Sequence, residues 1–128
     1  MADVQRIASG SPFESVMGFC RAVRVGGLVI VSGTAPIWAD GHVDPDVEAQ
    51  TRRCLEIIGR ALEEAGASFR DVVRTRVYLV DAADFDAVAA AHGETFADIR
   101  PANTTVVVAA FLNPAWKVEI EIEAVITS

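Results

Sequence analysis

The sequence predicts an α+β fold in which two amphipathic helices cover one face of a mixed sheet. Three observations carry this reading. Segments of period two and period 3.6 alternate along the 128 residues in the order ββαβαββ. Each helical segment has a single apolar stripe, and therefore one face to bury. The last strand, Lys117–Thr127, sorts Val118, Ile120, Ile122, Ala124 and Ile126 to one side and Glu119, Glu121 and Glu123 to the other. No repeat or linker divides the chain, so residues 1–128 are expected to form one domain.

Each element has its own signal. Ala22–Val25 and Leu28–Ser32 flank Gly26–Gly27, a two-residue turn that tolerates positive φ, and read as a hairpin. A loop rich in Gly, Pro and Asp follows from Gly33 to Val43. Asp44–Pro45, an N-cap with proline in the first turn, starts a helix that ends at Ala65–Gly66. Its stripe is Val47, Thr51, Cys54, Leu55, Ile58, Ala61, Leu62 and Ala65. Asp71–Val80 alternates as a strand, with Val73, Thr75, Val77 and Leu79 on one face and Arg74, Arg76, Tyr78 and Val80 on the other. Asp81 is expected to cap a second helix, to about Asp98, with Phe85, Val88, His92, Phe96 and Ile99 on its apolar side. Asn103–Phe111 reads as a third long strand before the last one.

Two helices leave the second sheet face uncovered. It carries Arg74, Arg76 and Tyr78 on one strand and three glutamates on another, which can pair across the sheet. A face of this kind is expected to be buried in an oligomer, with its charges paired.

Charge and composition exclude several roles. The net charge is −7 and the only lysine is Lys117, so there is no basic surface to hold the phosphates of a nucleic acid. Every apolar run is interrupted well short of a membrane span. Met1–Arg6 lacks the basic start and apolar run of a secretory signal, so the chain is expected to stay in the cytoplasm. Cys20 and Cys54 fit no metal spacing and read as buried free thiols. With two histidines and no clustered ligands, neither a metal site nor a cofactor is expected.

The run Arg100–Pro101–Ala102–Asn103–Thr104–Thr105, leading into Val106–Val107–Val108, resembles the signature turn and strand of the RidA (YjgF) family, the small trimeric imine and enamine deaminases. The resemblance extends from about Gly18 to Ile126. It includes Val31–Ser32–Gly33, the Gln50 helix, Asp71–Val72–Val73–Arg74, Asp84–Phe85 and Glu121–Ile122–Glu123–Ala124. It implies a chorismate-mutase-like fold and a homotrimer with small-molecule pockets between subunits.

In the deaminating members, as the resemblance has it, those pockets use an aromatic after an early proline, a Ser-Gly loop, an arginine, a cysteine and a glutamate on the final strand. Carried over residue by residue, these become Phe13, Ser32–Gly33, Asn103, Thr105 and Glu121. The family's helix asparagine becomes Ala89, and its tyrosine a turn later becomes His92. Glu121 would hold and polarise the attacking water, and Asn103, on a strand the family pairs with that of Glu121, would hold a carbonyl-like group. Replacing the arginine by Asn103 removes the cation that grips a 2-iminoacid carboxylate, a loss of roughly 1.5–3 kcal/mol.

Alternative roles stand beside these. His92 is either a general base or a core or interface histidine with one hydrogen bond. Glu121 is either the catalytic carboxylate or a partner for an arginine across the sheet. Arg76 either supplies the missing cation or forms an interface salt bridge. Trp38 is either a lid or surface. Two function classes follow: a hydrolase of an imine, enamine or related C–N bond other than that of 2-aminoacrylate, or a non-catalytic trimer that binds a small metabolite.

Overall fold

The computed structural model describes residues 3–127; the first two residues and the last of the expected domain lie outside the described residues. The main elements are β1 (Val4–Ile7), β2 (Ala22–Val25), β3 (Leu28–Thr34), α1 (Val47–Glu64), β4 (Val72–Leu79), α2 (Phe85–Phe96), β5 (Ala102–Val107) and β6 (Val118–Val125). They form one sheet in the order β1-β2-β3-β6-β4-β5. Every pair is antiparallel except β4 with β5, which the α2 crossover makes parallel. Both helices pack on one sheet face, the chorismate-mutase-like arrangement expected from the sequence.

The core lies between that face and the helices. Val29 and Val31, Val77 and Leu79, and Val118, Ile120 and Ile122 meet Cys54, Ile58 and Leu62 of α1 and Val88 and Phe96 of α2. Every residue of the expected α1 stripe is buried, and each large apolar side chain removed from water contributes about 1.5–3 kcal/mol. The β6 alternation holds throughout: Val118, Ile120, Ile122 and Ala124 are buried, and the three glutamates face away.

Several local expectations are corrected. β1 was not expected; four residues beside an exposed edge carry almost no period, and only Ile7 reaches the core. Val73, which alternation puts on one face with Thr75, Val77 and Leu79, is exposed while those three are buried. The register of β4 against β6 slips between Val72 and Arg74, so a bulge turns Val73 out and Val72 in. The N-cap of α1 is Asp46, whose side chain accepts from the N–H of Ala49, not Asp44. Asp81 caps a short 3-10 turn (Ala82–Asp84) through the N–H of Ala83, and α2 begins after it. Phe85 consequently projects to solvent instead of joining the stripe. β5 ends at Val107, four residues before the expected Phe111. Cys20 is half-buried just ahead of β2, whereas Cys54 is fully buried.

One polar side chain holds the layers together. Gln50 is completely buried on α1. Its Nε2 donates to the carbonyls of Asp44 (2.8 Å) and Ala115 (3.0 Å), and its Oε1 accepts from the N–H of Lys117 (2.8 Å). Lys117 Nζ returns to the Pro45 carbonyl at 2.6 Å. The start of α1 is thereby latched to the loop that delivers β6 and its glutamates. A buried amide with three partners is satisfied, and this explains why a glutamine tolerates the core.

Candidate functional site

The helix-free face of the sheet gathers the charged side chains. Backbone register sets Arg74 opposite Glu123, Arg76 opposite Glu121 and Tyr78 opposite Glu119. Arg76 Nη1 donates to Glu123 Oε1 at 3.2 Å and lies 3.6 Å from Glu121 Oε2. The Tyr78 hydroxyl donates to the other oxygen of Glu121. That bond keeps the phenol protonated and raises the Tyr78 pKa above its ordinary value, with desolvation adding to it. One guanidinium thus serves two carboxylates, and Arg76 offers no spare charge to an anionic ligand. The group is about one-third exposed, so its pairing contributes at most about 1 kcal/mol.

Ser32 and Gly33 border the same patch. Val31 pairs with Ile122 and Thr34 with Ile120, leaving Ser32 and Gly33 together opposite Glu121 in a bulge. The Ser32 hydroxyl donates to the Cys20 carbonyl at 2.7 Å. A Cβ on Gly33 would lie 3.7 Å from the Glu119 carboxylate, so the backbone here passes close to that side chain. Burial raises the Glu119 pKa, Arg21 counteracts the rise and Glu121 adds to it.

Asn103, Thr105 and His92 form a second, separate cluster. Asn103 Nδ2 donates to Thr75 Oγ1 at 2.9 Å, and its Oδ1 accepts from Thr105 Oγ1 at 2.9 Å. His92 Nε2 meets the same Thr75 hydroxyl at 3.0 Å. Thr75 is buried on the core face, so this cluster sits at the β5 edge on the helix side of the sheet. The expected pairing of the Asn103 and Glu121 strands does not occur within the chain. β4 lies between them, and the two side chains leave opposite faces. The α2 crossover is the reason: it returns the chain to the free edge of β4, because the inner edge is taken by β6.

His92 also stacks on Phe96, with ring centroids 4.6 Å apart, and burial lowers its pKa. The folded chain therefore excludes a proton that the unfolded chain binds below about pH 6.5. Stability should be unaffected above that value, fall as the pH drops through the interval down to the folded pKa, and level off below it. In urea unfolding across pH 4–8, the wild-type midpoint should decline relative to His92→Asn through this interval and run parallel to it above about pH 7. Parallel curves throughout would show that His92 titrates normally.

Phe13 and Gly33 do come together, in a cavity of about 720 Å3 on the α1 side. One wall is the strap of residues 9–19, which ties itself down: the Glu14 carboxylate accepts from both the N–H and the hydroxyl of Ser9. The opposite wall is the outer surface of α1 with Arg53, Ile57 and Arg60, and Leu112 and Trp116 lie at one side. Phe19, Arg21 and Glu119 line it as well. The sequence alone does not reveal these three, because the strand pairing that brings them into the cavity with Gly33 leaves no local pattern. Trp38 is not part of this lining; its ring lies 5.0 Å from that of His42. Among the described residues, no group of three or more His, Cys, Asp and Glu converges as metal ligands would. No helix is long and apolar enough to cross a membrane among the described residues.

Comparison with known proteins agrees with this architecture. The family model described as Endoribonuclease L-PSP matches residues 10–126. The Streptomyces coelicolor protein SCO2049, described only as uncharacterized, is 41% identical over 124 residues, covering 94% of this chain and 91% of that protein. A RutC family protein of Pyrococcus abyssi, PYRAB12510, is 39% identical over 90 residues, covering 69% and 71%. The crystal structure of Rv2704 from Mycobacterium tuberculosis, a member of the YjgF/YER057c/UK114 family, superposes with a TM-score of 0.89 at 42% identity. It covers 97% of this chain and 100% of that one.

Proposed function

The chain belongs to the RidA/YjgF family of the Endoribonuclease L-PSP type, and from that premise we propose that it hydrolyses the C–N bond of a small imine, or of an enamine through its imine tautomer, lacking a carboxylate. The reaction takes place in a pocket between subunits of a homotrimer. The observation that carries this reading is the charge at the two family positions. Glu121 stands on the open sheet face beside the Ser32–Gly33 bulge, while the β5 position holds an amide already engaged by Thr75 and Thr105.

In this mechanism Glu121 orients a water and takes its proton as the oxygen bonds to the imine carbon. The proton then passes to the nitrogen to give a carbinolamine. Glu121 carries the hydroxyl proton of that intermediate to the amine, and the C–N bond breaks as the C=O bond forms, so that ammonia leaves with a carbonyl product. Backbone N–H groups and Tyr78 steady the developing charge. Ser32, Gly33 and Phe13 shape one side of the pocket, with Asn103 and Thr105 supplied from the β5 edge of a neighbouring copy. Arg76 positions Glu121, and His92 holds Thr75 and thereby Asn103.

The trimer is supported by what the open face exposes. Val25, Leu28, Ile30, Val106 and Val125 are each 38–44% exposed, an apolar rim beside paired charges that suits burial against a second copy. Two free cysteines suit a reducing compartment, and we place the reaction in the cytoplasm. RNA is not part of the proposal, because the −7 charge opposes phosphate binding. A second reading, a non-catalytic metabolite-binding trimer, is favoured by one observation: Glu121 already has both Arg76 and Tyr78 as partners.

Native mass spectrometry should give three copies. Ammonia release should be faster with imines made in place by an amine oxidase than with 2-iminoacids made by an amino-acid oxidase. Acceleration of neither class by an intact trimer would leave the binding reading.

A further inference from the structure

We propose that His92 and Thr75 form a proton-operated selector, which sets whether Asn103 shows an oxygen or an N–H to a ligand. The inference rests on the reading that position 103 lines the pocket, and it adds what that position recognises. Thr75 is the positioning residue, since it is buried and acts only through Asn103.

Two side chains converge on one buried hydroxyl. Thr75 is fully shielded from solvent, so its Oγ1 has no water to turn to. It accepts from Asn103 Nδ2 at 2.9 Å and meets His92 Nε2 at 3.0 Å. A hydroxyl has one proton to give, and an amide NH2 cannot accept it. Among the described residues, Thr75 Oγ1 has no other hydrogen-bond partner. Its proton therefore points at His92 Nε2, which fixes the neutral imidazole as the tautomer with its hydrogen on Nδ1. At the exposed end of the amide, Asn103 Oδ1 accepts from Thr105 Oγ1 at 2.9 Å.

Protonation of His92 reverses every bond in this chain. The new proton goes onto Nε2, which then donates to Thr75 Oγ1. With the amide unmoved, that oxygen would accept twice, and its own hydrogen would face two donors in a site closed to water. Such an arrangement is unfavourable. Turning the Asn103 amide over removes the conflict: Oδ1 accepts from Thr75, and Nδ2 donates to Thr105. The exposed end of residue 103 thus offers an acceptor while His92 is neutral and a donor once it is charged. An acceptor suits the N–H of an imine or enamine; a donor suits a carbonyl.

Neighbouring charges are committed elsewhere. Arg52 of α1 bridges Glu48 to Glu94 of α2 on the exposed side of the helix pair. Asp81 caps the 3-10 turn that also holds Asp84, and Asp86 lies in the first turn of α2. Arg74, Arg76 and Tyr78 of β4 alternate with Thr75 and leave by the other sheet face, and β5 carries no titratable side chain. Burial alone lowers the His92 pKa, so the selector turns below the ordinary histidine value of about 6.5.

The experiment follows the full chain by 1H–15N NMR from pH 4 to 8. The His92 ring nitrogens and the Asn103 side-chain NH2 signals should titrate together, with one midpoint below about 6.5. Nuclear Overhauser contacts of the Asn103 amide protons should pass from Thr75 above that midpoint to Thr105 below it. Thr75→Val should leave His92 titrating and erase the response of Asn103, whereas Thr75→Ser, which keeps the hydroxyl, should preserve it. His92→Asn should flatten the Asn103 curve as well, and it carries the test if Thr75→Val fails to fold. Asn103 signals that ignore the His92 titration, a neutral His92 protonated on Nε2, or a response that survives Thr75→Val would overturn the proposal. None of these measurements needs turnover. Absence of ammonia release would sink the hydrolase reading and leave the selector standing, and a silent Asn103 in an active protein would do the reverse.

Discussion

Asn103→Arg should raise deamination of 2-aminoacrylate about ten- to a hundredfold above a low wild-type level, and Glu121→Ala in the same chain should abolish the gain. The size follows from replacing a neutral amide donor by a guanidinium, a difference of roughly 1.5–3 kcal/mol, at 1.4 kcal/mol per factor of ten. Position 103 can accept the change. It is exposed on the outer strand, and among the described residues its side chain hydrogen-bonds only to Thr75 and Thr105. The long arginine gives up those two bonds and extends into solvent, where a neighbouring copy is proposed to sit. The gain should be partial, since Thr105 and Phe13 also differ from the deaminase pattern and residues that act together are not additive. Pyruvate and ammonia release from enzymatically generated 2-aminoacrylate measures it. Wild-type turnover equal to that of an authentic deaminase would show that another cation already serves. No gain in a correctly assembled variant would show a pocket built for another ligand.

Gln50→Leu should lower the unfolding free energy by about 3 kcal/mol, although it exchanges a buried polar side chain for an apolar one. The substitution strands three backbone groups: the carbonyls of Asp44 and Ala115 and the N–H of Lys117. Each costs about 1–3 kcal/mol if left dry. The 111–117 loop can rehydrate part of that set, which holds the total near the lower limit. Gln50→Glu should be worse, because it retains the acceptor for Lys117 but replaces two donated bonds by a buried carboxylate against two carbonyls. Urea unfolding at neutral pH checks both. A loss under 1 kcal/mol in Gln50→Leu would mean that the loop detaches at little cost.

The elements that could be read from the sequence were those whose packing is periodic. The α1 stripe and the β6 alternation each repeat a local rule, and burial follows it residue by residue. The pattern fails where geometry breaks the period. The bulge at Val73 shifts the faces by one, and the 3-10 turn ahead of α2 rotates Phe85 into solvent. At the N-terminus of α1, two aspartates flank Pro45 and both accept backbone N–H bonds, so the chemistry of a cap appears twice and only geometry chooses Asp46. The candidate site divides in the same way. Glu121 with Arg76 was legible from alternation, because cross-strand pairs follow from two strands of known face. Arg21, Glu119 and Phe19 line the same cavity as Gly33 only through the sheet order, which no local pattern contains.

The latch at Gln50 also makes this chain a simple chemical reporter. Lys117 is its only lysine, and its ammonium is held by the Pro45 carbonyl. An acylating reagent needs the neutral amine released from that bond, so the rate of side-chain amine modification reports how often Lys117 lets go of the start of α1. Most proteins blur such a rate over many surface lysines. Here one side chain, followed by its own mass increment, reports on the single contact between Lys117 and the first turn of α1.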